Sequence, residues 1–265
     1  MIKQLAFSHP TPFVGRTKEH VEITTRLLNP ACRLLTLTGL GGSGKTRLAI
    51  EAATTVAGQF PHGTIFVALQ PIPRGDLLAS AIAQAVGLTF YGEDEPQEQL
   101  FAYLHDKTLL LILDNFEHLL DEAALVSALL AAAPGVTLLV TSREALRLQE
   151  EWLYPLQGLA TPPSVYATSL EEYEAVQLFL SHARRVQPAF DLASEHEAVI
   201  RICMMTAGLP LAIELAASWL KGLRAAHIAQ AMQRNLDVLS TTTRNVEDRH
   251  RSMRAVFDQS WALLS

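Results

Sequence analysis

Residues Gly39-Leu40-Gly41-Gly42-Ser43-Gly44-Lys45-Thr46 constrain this chain more than any other stretch. They follow the pattern G-x-x-x-x-G-K-T, between an apolar strand pattern and a helical one. Four glycines in one turn let the backbone wrap closely enough for several N–H groups to point at one anion. A helix beginning near Gly44 aims its partial positive end at the same spot. Lys45 can reach the outer phosphates of a nucleotide, and the Thr46 hydroxyl can hold Mg²⁺. Gly41, Gly42, Ser43, Gly44, Lys45, Thr46 and Arg47 are therefore the expected phosphate-holding set. The flanks meet the motif's structural requirement: Arg33 to Thr38 reads as a buried strand and Arg47 to Ala53 as a helix.

The chain has 265 residues, 49% of them hydrophobic and only 18% charged, so it can bury a sizeable core. A net charge of −6 argues against a general attraction to nucleic acid or an anionic membrane. Cys32 and Cys203 are too few for a disulfide framework and read as reduced core residues, which points to the cytoplasm. The N-terminus lacks the sustained apolar run of a secretory signal. The most apolar segment, 123–133, is too short to span a bilayer. No membrane partner is expected.

Strand and helix patterns alternate up to about residue 156. Gly63 to Leu69 is a second strand candidate, and Leu109 to Leu113, ending in Asp114, has the continuous apolar character of a central parallel strand. Val136 to Thr141 is another, and Trp152 to Leu156 reads as an edge strand because Pro155 cannot donate to a central ladder. Helices are expected at 17–28, 77–86, 97–104 and 117–132. This order means βαβ units and a parallel sheet. The Pro- and Ser/Thr-containing stretch 158–169 is a candidate boundary. Helical patterns follow at 170–186, 194–206, 211–220 and 225–232, with a last one at 249–264. The expected organisation is an α/β nucleotide-binding domain over 1–160, a small all-α domain over 161–240, and the start of a further domain over 241–265.

Mg²⁺ on a triphosphate wants an acid at the end of a neighbouring strand, and Asp114 meets that need. The alternative role is an ordinary cap for the following helix, and the phosphate loop favours the magnesium role. Asn115 comes next and is not a useful general base. Glu117 is the nearest remaining carboxylate; it can polarise water or simply favour a helix N-terminus. Arg143, just after the strand 136–141, can sense a γ-phosphate through a charge-assisted fork, or pair with Glu144 or Glu150. Lys45, Asp114, Glu117 and Arg143 are the candidate catalytic residues, and Thr46 and Asp114 the candidate metal ligands. Pro210 sits at the first turn of its helix, where proline is at home.

With these pieces in place, the chain resembles the nucleotide-binding oligomerisation core of STAND-class P-loop ATPases, of the NB-ARC or AP-ATPase type found in bacterial regulators. The resemblance rests on ordered segments: Phe13 to Glu19, the phosphate loop, LLILDNFEHLL at 110–120, VTSREALRL at 140–148, and GLPLAIELAA at 208–217. It implies that Val14 and Arg16 lie near adenine and that Pro210 packs on the base. It also implies a three-layer P-loop NTPase fold with a parallel central sheet, an ARC1-like helical domain, and a winged-helix domain beginning in 241–265. ATP/ADP and Mg²⁺ are the implied ligands, with domain rearrangement and self-association on activation. The winged-helix histidine that usually helps lock the resting state is expected past Ser265, and this fragment is not expected to bind nucleic acid directly. Two other functions compete: an AAA+-like motor acting on nucleic acid, and a scaffold for which nucleotide is purely structural.

Overall fold

The computed structural model describes residues 11–73, 75–92 and 94–234. The expected helix at 249–264 and the segment 241–265 lie outside the described residues. Within them the chain forms two compact units. One comprises Thr17–Gly39 and Lys45–Leu156; the other comprises Thr11–Arg16, Leu40–Gly44 and the described part of Gln157–Ser265.

The first unit is built on five parallel strands: β1 (Leu34–Thr38), β2 (Thr64–Ala68), β3 (Leu109–Asp114), β4 (Val136–Ser142) and β5 (Glu151–Pro155), in the order β2-β3-β4-β1-β5. β3 is apolar on both pleat faces up to Asp114, β4 mixes apolar residues with Thr137 and Thr141, and both strands are largely buried. Leu109, Leu111 and Leu113 join a core with α3 (Leu78–Val86), α4 (Pro96–Leu104) and α5 (Ala123–Ala132). Leu110 and Ile112 alternate to the opposite face and are equally buried. There α2 (Lys45–Val56) packs on β1, β3 and β4, with α1 (Thr17–Leu27) against α2. Helices on two faces of an all-parallel sheet give the expected three-layer α/β arrangement.

Pro155 lies on the edge strand, where its missing N–H costs no ladder bond. Tyr154 of β5 anchors α1: its hydroxyl donates to Glu22 at 2.8 Å, and the Arg26 guanidinium stacks 4.9 Å from the ring centroid.

One expected element differs. The helix expected over 117–132 begins only at Ala123. Before it come two 3-10 turns, Phe116–His118 and Leu120–Glu122. Asn115 takes a left-handed conformation (φ 71°, ψ 53°), and Leu119 departs from helical geometry at φ −121°. Those breaks let Phe116 and Leu119 both reach the core. His118 Nε2 lies 3.2 Å from the carbonyls of Leu69 and Ile72 after strand β2, and since both only accept, the ring nitrogen is the donor. Tertiary burial thus overrides a regular helical pattern.

The second unit is helical: α6 (Glu174–Val186), α7 (Leu192–Met205), α8 (Pro210–Ser218) and α9 (Ala225–Arg234). Their apolar faces share one core, in which Phe179 meets Phe190 edge-on at 5.9 Å. Asp191 caps α7 by accepting from the Ala193 N–H. No helix among the described residues is long and apolar enough to cross a membrane.

Candidate functional site

β1 ends at Thr38, the glycine turn follows, and α2 starts at Lys45. Gly42 (φ 75°) and Gly44 (φ 90°) occupy backbone conformations that an L side chain resists, which is why the turn needs glycine there. Lys45 Nζ donates to the carbonyl of Gly39 at 2.7 Å, so the lysine folds back along its own loop. Thr46 and Arg47 lie in the first turn of α2. Ser43 is buried, and its hydroxyl oxygen has no hydrogen-bond partner. A buried orphan hydroxyl inside an anion-binding turn fits a ligand that supplies its missing bond.

In the first unit, the end of β3 meets the start of α2. Thr46 Oγ1 donates to Asp114 Oδ1 at 2.7 Å. Thr141 Oγ1 donates to the same oxygen at 2.6 Å and accepts from the Asn115 N–H at 3.0 Å. The ladder puts Thr141 directly opposite Asp114. A hydroxyl and a carboxylate in contact form the hard-oxygen pair that Mg²⁺ takes from a protein when phosphates and water complete its shell. The residues present therefore fit the ion.

Arg143 follows β4, and its Nε lies 3.0 Å from Glu117 Oε1, with each side chain 15% exposed. The ion partner of Arg143 is thus Glu117, neither Glu144 nor Glu150, the two that the sequence offers as an alternative to a phosphate contact. The pair is nonlocal, and no sequence spacing signals it. Thr141 was likewise missed as an Asp114 partner. Its hydroxyl was visible in the sequence, but the register that sets it opposite Asp114 was not.

In the second unit, Gly15 and Arg16 both have positive φ, 73° and 64°. The Arg16 N–H donates to Glu174 Oε1 at 2.7 Å. Its guanidinium Nη2 donates to the Ser43 carbonyl at 3.2 Å and to the Gln157 carbonyl. Arg16 is 4% exposed, so it braces the glycine turn from behind. Val14 is half-buried and packs on the helical core. Pro210 opens α8, and its ring lies 3.7 Å from where a Cβ on Gly44 would stand. Beside it, the Leu211 N–H donates to the Gly42 carbonyl at 3.3 Å. The start of α8 thus touches the glycine turn directly.

The NB-ARC domain family matches residues 16–150. A Mycobacterium tuberculosis protein named as an HTH-type transcriptional regulator is 39% identical over 235 residues, which are 88% of this chain and 25% of that protein. Regulatory protein AfsR of Streptomyces griseus is 29% identical over 245 residues, 86% of this chain and 23% of its own length. The chain thus spans about a quarter of these regulators. Among solved structures, Drosophila ORC bound to DNA aligns at a TM-score of 0.57 and 15% identity, over 87% of this chain and 69% of that one. At that identity the likeness shows the fold alone, an α/β P-loop NTPase. The glycine turn, the β3 acid and the family match agree: the chain belongs to the NB-ARC domain family.

Proposed function

We propose that the chain is an ATP/ADP-dependent conformational switch with slow hydrolysis, whose nucleotide state governs self-association in signalling or transcription control. The observation that carries this reading is the 2.7 Å bond between Thr46 and Asp114. It brings the last residue of the glycine motif and the acid of a neighbouring strand to one point.

In this reading the turn 41–44 binds phosphates through backbone N–H groups, aided by the α2 N-terminus. Lys45 exchanges its Gly39 carbonyl for phosphate oxygens, a stronger charge-assisted partner. Thr46 and Asp114 would hold Mg²⁺, which neutralises charge on the β- and γ-oxygens when bound. Pro210 offers a flat apolar contact for the base, as the family resemblance implies. Asn115, left-handed and without a basic side chain, supplies no general base, so turnover is slow.

A switch needs differential binding. Moving a population from mostly one conformation to mostly the other takes about 5.5 kcal/mol. Charge-assisted contacts contribute roughly 1.5–3 kcal/mol each, so several must act together on the γ-phosphate. Lys45, the metal pair and Arg143 are that set. The acidic balance of the chain offers no general pull on a polyanion, which disfavours a nucleic-acid motor. A cytoplasmic location follows from this reading.

The test is to denature the purified chain and identify the released nucleotide, with Lys45→Ala as the control. ADP or ATP from the parent and little from the variant supports the assignment. Equal nucleotide from both would remove it.

A further inference from the structure

Two partly buried carboxylates among the described residues are anchored at both oxygens. Glu151 accepts the Leu146 N–H on one and the Arg147 N–H on the other, each at 2.9 Å. Glu195 accepts from Arg224 Nε and from the Ala226 N–H. Glu117 differs. Its Oε1 pairs with Arg143 at 3.0 Å, whereas Oε2 is buried with no hydrogen-bond partner. A carboxylate kept for structure has both oxygens satisfied, because each orphan lone pair in a buried site costs stability. A carboxylate held only through its cation is the easier one to exchange.

The cation involved matters. Arg143 leaves β4 two residues after Thr141, which is bonded to Asp114. Glu117 lies three residues after Asp114 on the neighbouring strand's exit. The ion pair therefore belongs to the same strand ends as the metal pair. A phosphate oxygen that recruits the Arg143 guanidinium must do so against the pull of Glu117, at a site where an opposite charge is screened little.

We propose that Glu117 is an internal competitor for the γ-phosphate: ATP has to displace its carboxylate from Arg143, and ADP does not. This rests on the reading of the site as an ATP/ADP switch and deepens it. Glu117 is then a positioning residue that sets the preference between the two nucleotides, and its role is to hold Arg143 back. Neutralising it removes the carboxylate from the Arg143 Nε, a place that a γ-phosphate oxygen is well suited to take.

The experiment is calorimetric titration of the parent, Glu117→Gln, Arg143→Gln and the double variant with ADP and with a non-hydrolysable ATP analogue, all with Mg²⁺. The expected result is that Glu117→Gln raises affinity for the ATP analogue relative to ADP by about tenfold or more, as loss of one charge-assisted competitor requires. That gain is expected to vanish in the Arg143→Gln background. An unmoved ratio overturns the proposal, and so does a gain that persists without Arg143, because simple relief of repulsion would produce it. If Glu117→Gln does not fold, Glu117→Asp draws the carboxylate back by one methylene. It should shift the ratio the same way but less, and no shift overturns the proposal. A parent that binds neither nucleotide sinks the switch reading together with this one; a parent that binds both, with the ratio unmoved, sinks this one alone.

Discussion

Thr46 and Thr141 donate their hydroxyls to one oxygen, Asp114 Oδ1, at 2.7 and 2.6 Å. The first threonine comes from the turn-to-helix motif and the second from β4. Between them they fix the carboxylate's rotamer before any cation arrives. Such fixing matters because Mg²⁺ tolerates little departure from octahedral geometry.

Thr141→Val keeps nearly the same shape and removes one of the two hydroxyls. The Thr141 hydroxyl also accepts from the Asn115 N–H, so two bonds are lost, and the expected cost is about 1–3 kcal/mol of stability, read as a lower urea midpoint at unchanged slope. The more telling effect is on metal dependence. Nucleotide affinity with Mg²⁺ should fall several-fold while affinity in EDTA stays the same. Equal loss in both conditions would mean that Thr141 supports the fold and not the ion.

A second prediction concerns the entry to the helical unit. The Leu159 N–H donates to the Gly208 carbonyl at 2.8 Å. A Cβ on Gly158 would collide with the Ala207 carbonyl oxygen, and a Cβ on Gly208 (φ 69°) with that of Leu159. These neighbours are backbone and have little room to yield. Gly158→Ala is expected to destabilise the protein by about 1–3 kcal/mol, as overpacking does. Limited proteolysis should then cut first beyond residue 157, whereas a Gly58→Ala control, with nothing near its Cβ position, should not change the pattern.

Much of the architecture was legible because its signals are local. The continuous apolar run at 109–113 and the largely apolar 136–140 announce buried strands, and Pro155 announces an edge. The glycine motif likewise carries its own geometry. What was not legible depends on register and long-range packing. Thr141 and Asp114 are 27 positions apart, and only the β3–β4 ladder makes them neighbours. Glu117 and Arg143 meet for the same reason. The helix expected from 117 failed because Phe116 and Leu119 gain more by entering the core than by staying in one helical turn. Arg16 carried an adenine-side expectation from the family resemblance; the structure gives its guanidinium two backbone carbonyls to brace.

A third prediction follows from the cysteines. Burial pushes the Cys32 thiol from 9.0 up to about 11 and the Cys203 thiol from 9.0 up to about 12. The folded state keeps these protons after the unfolded chain has begun to release them. Their contribution to stability is therefore complete below pH 9 and is lost as pH rises toward 12. Native protein at pH 8 should not react with an aromatic disulfide reagent, and denatured protein should yield both thiols. Replacing both cysteines by alanine should flatten the alkaline limb of the stability profile. A rapid native-state reaction would contradict the burial of both residues.

Arg16 separates two roles that predict different selectivity. If its guanidinium braces the glycine turn through the Ser43 and Gln157 carbonyls, Arg16→Lys weakens the turn and leaves the base pocket alone. A lysine ammonium lacks the planar fork and reaches as a single point, so one carbonyl loses its partner. Affinity for ATP, GTP and inorganic triphosphate should then fall by a common factor, about tenfold or more for one neutral-acceptor bond to a charged donor. If Arg16 instead touches adenine, ATP binding alone should suffer and triphosphate binding should be spared. Competition titrations with the three ligands decide between these outcomes. The buried, doubly bonded guanidinium supports the common factor.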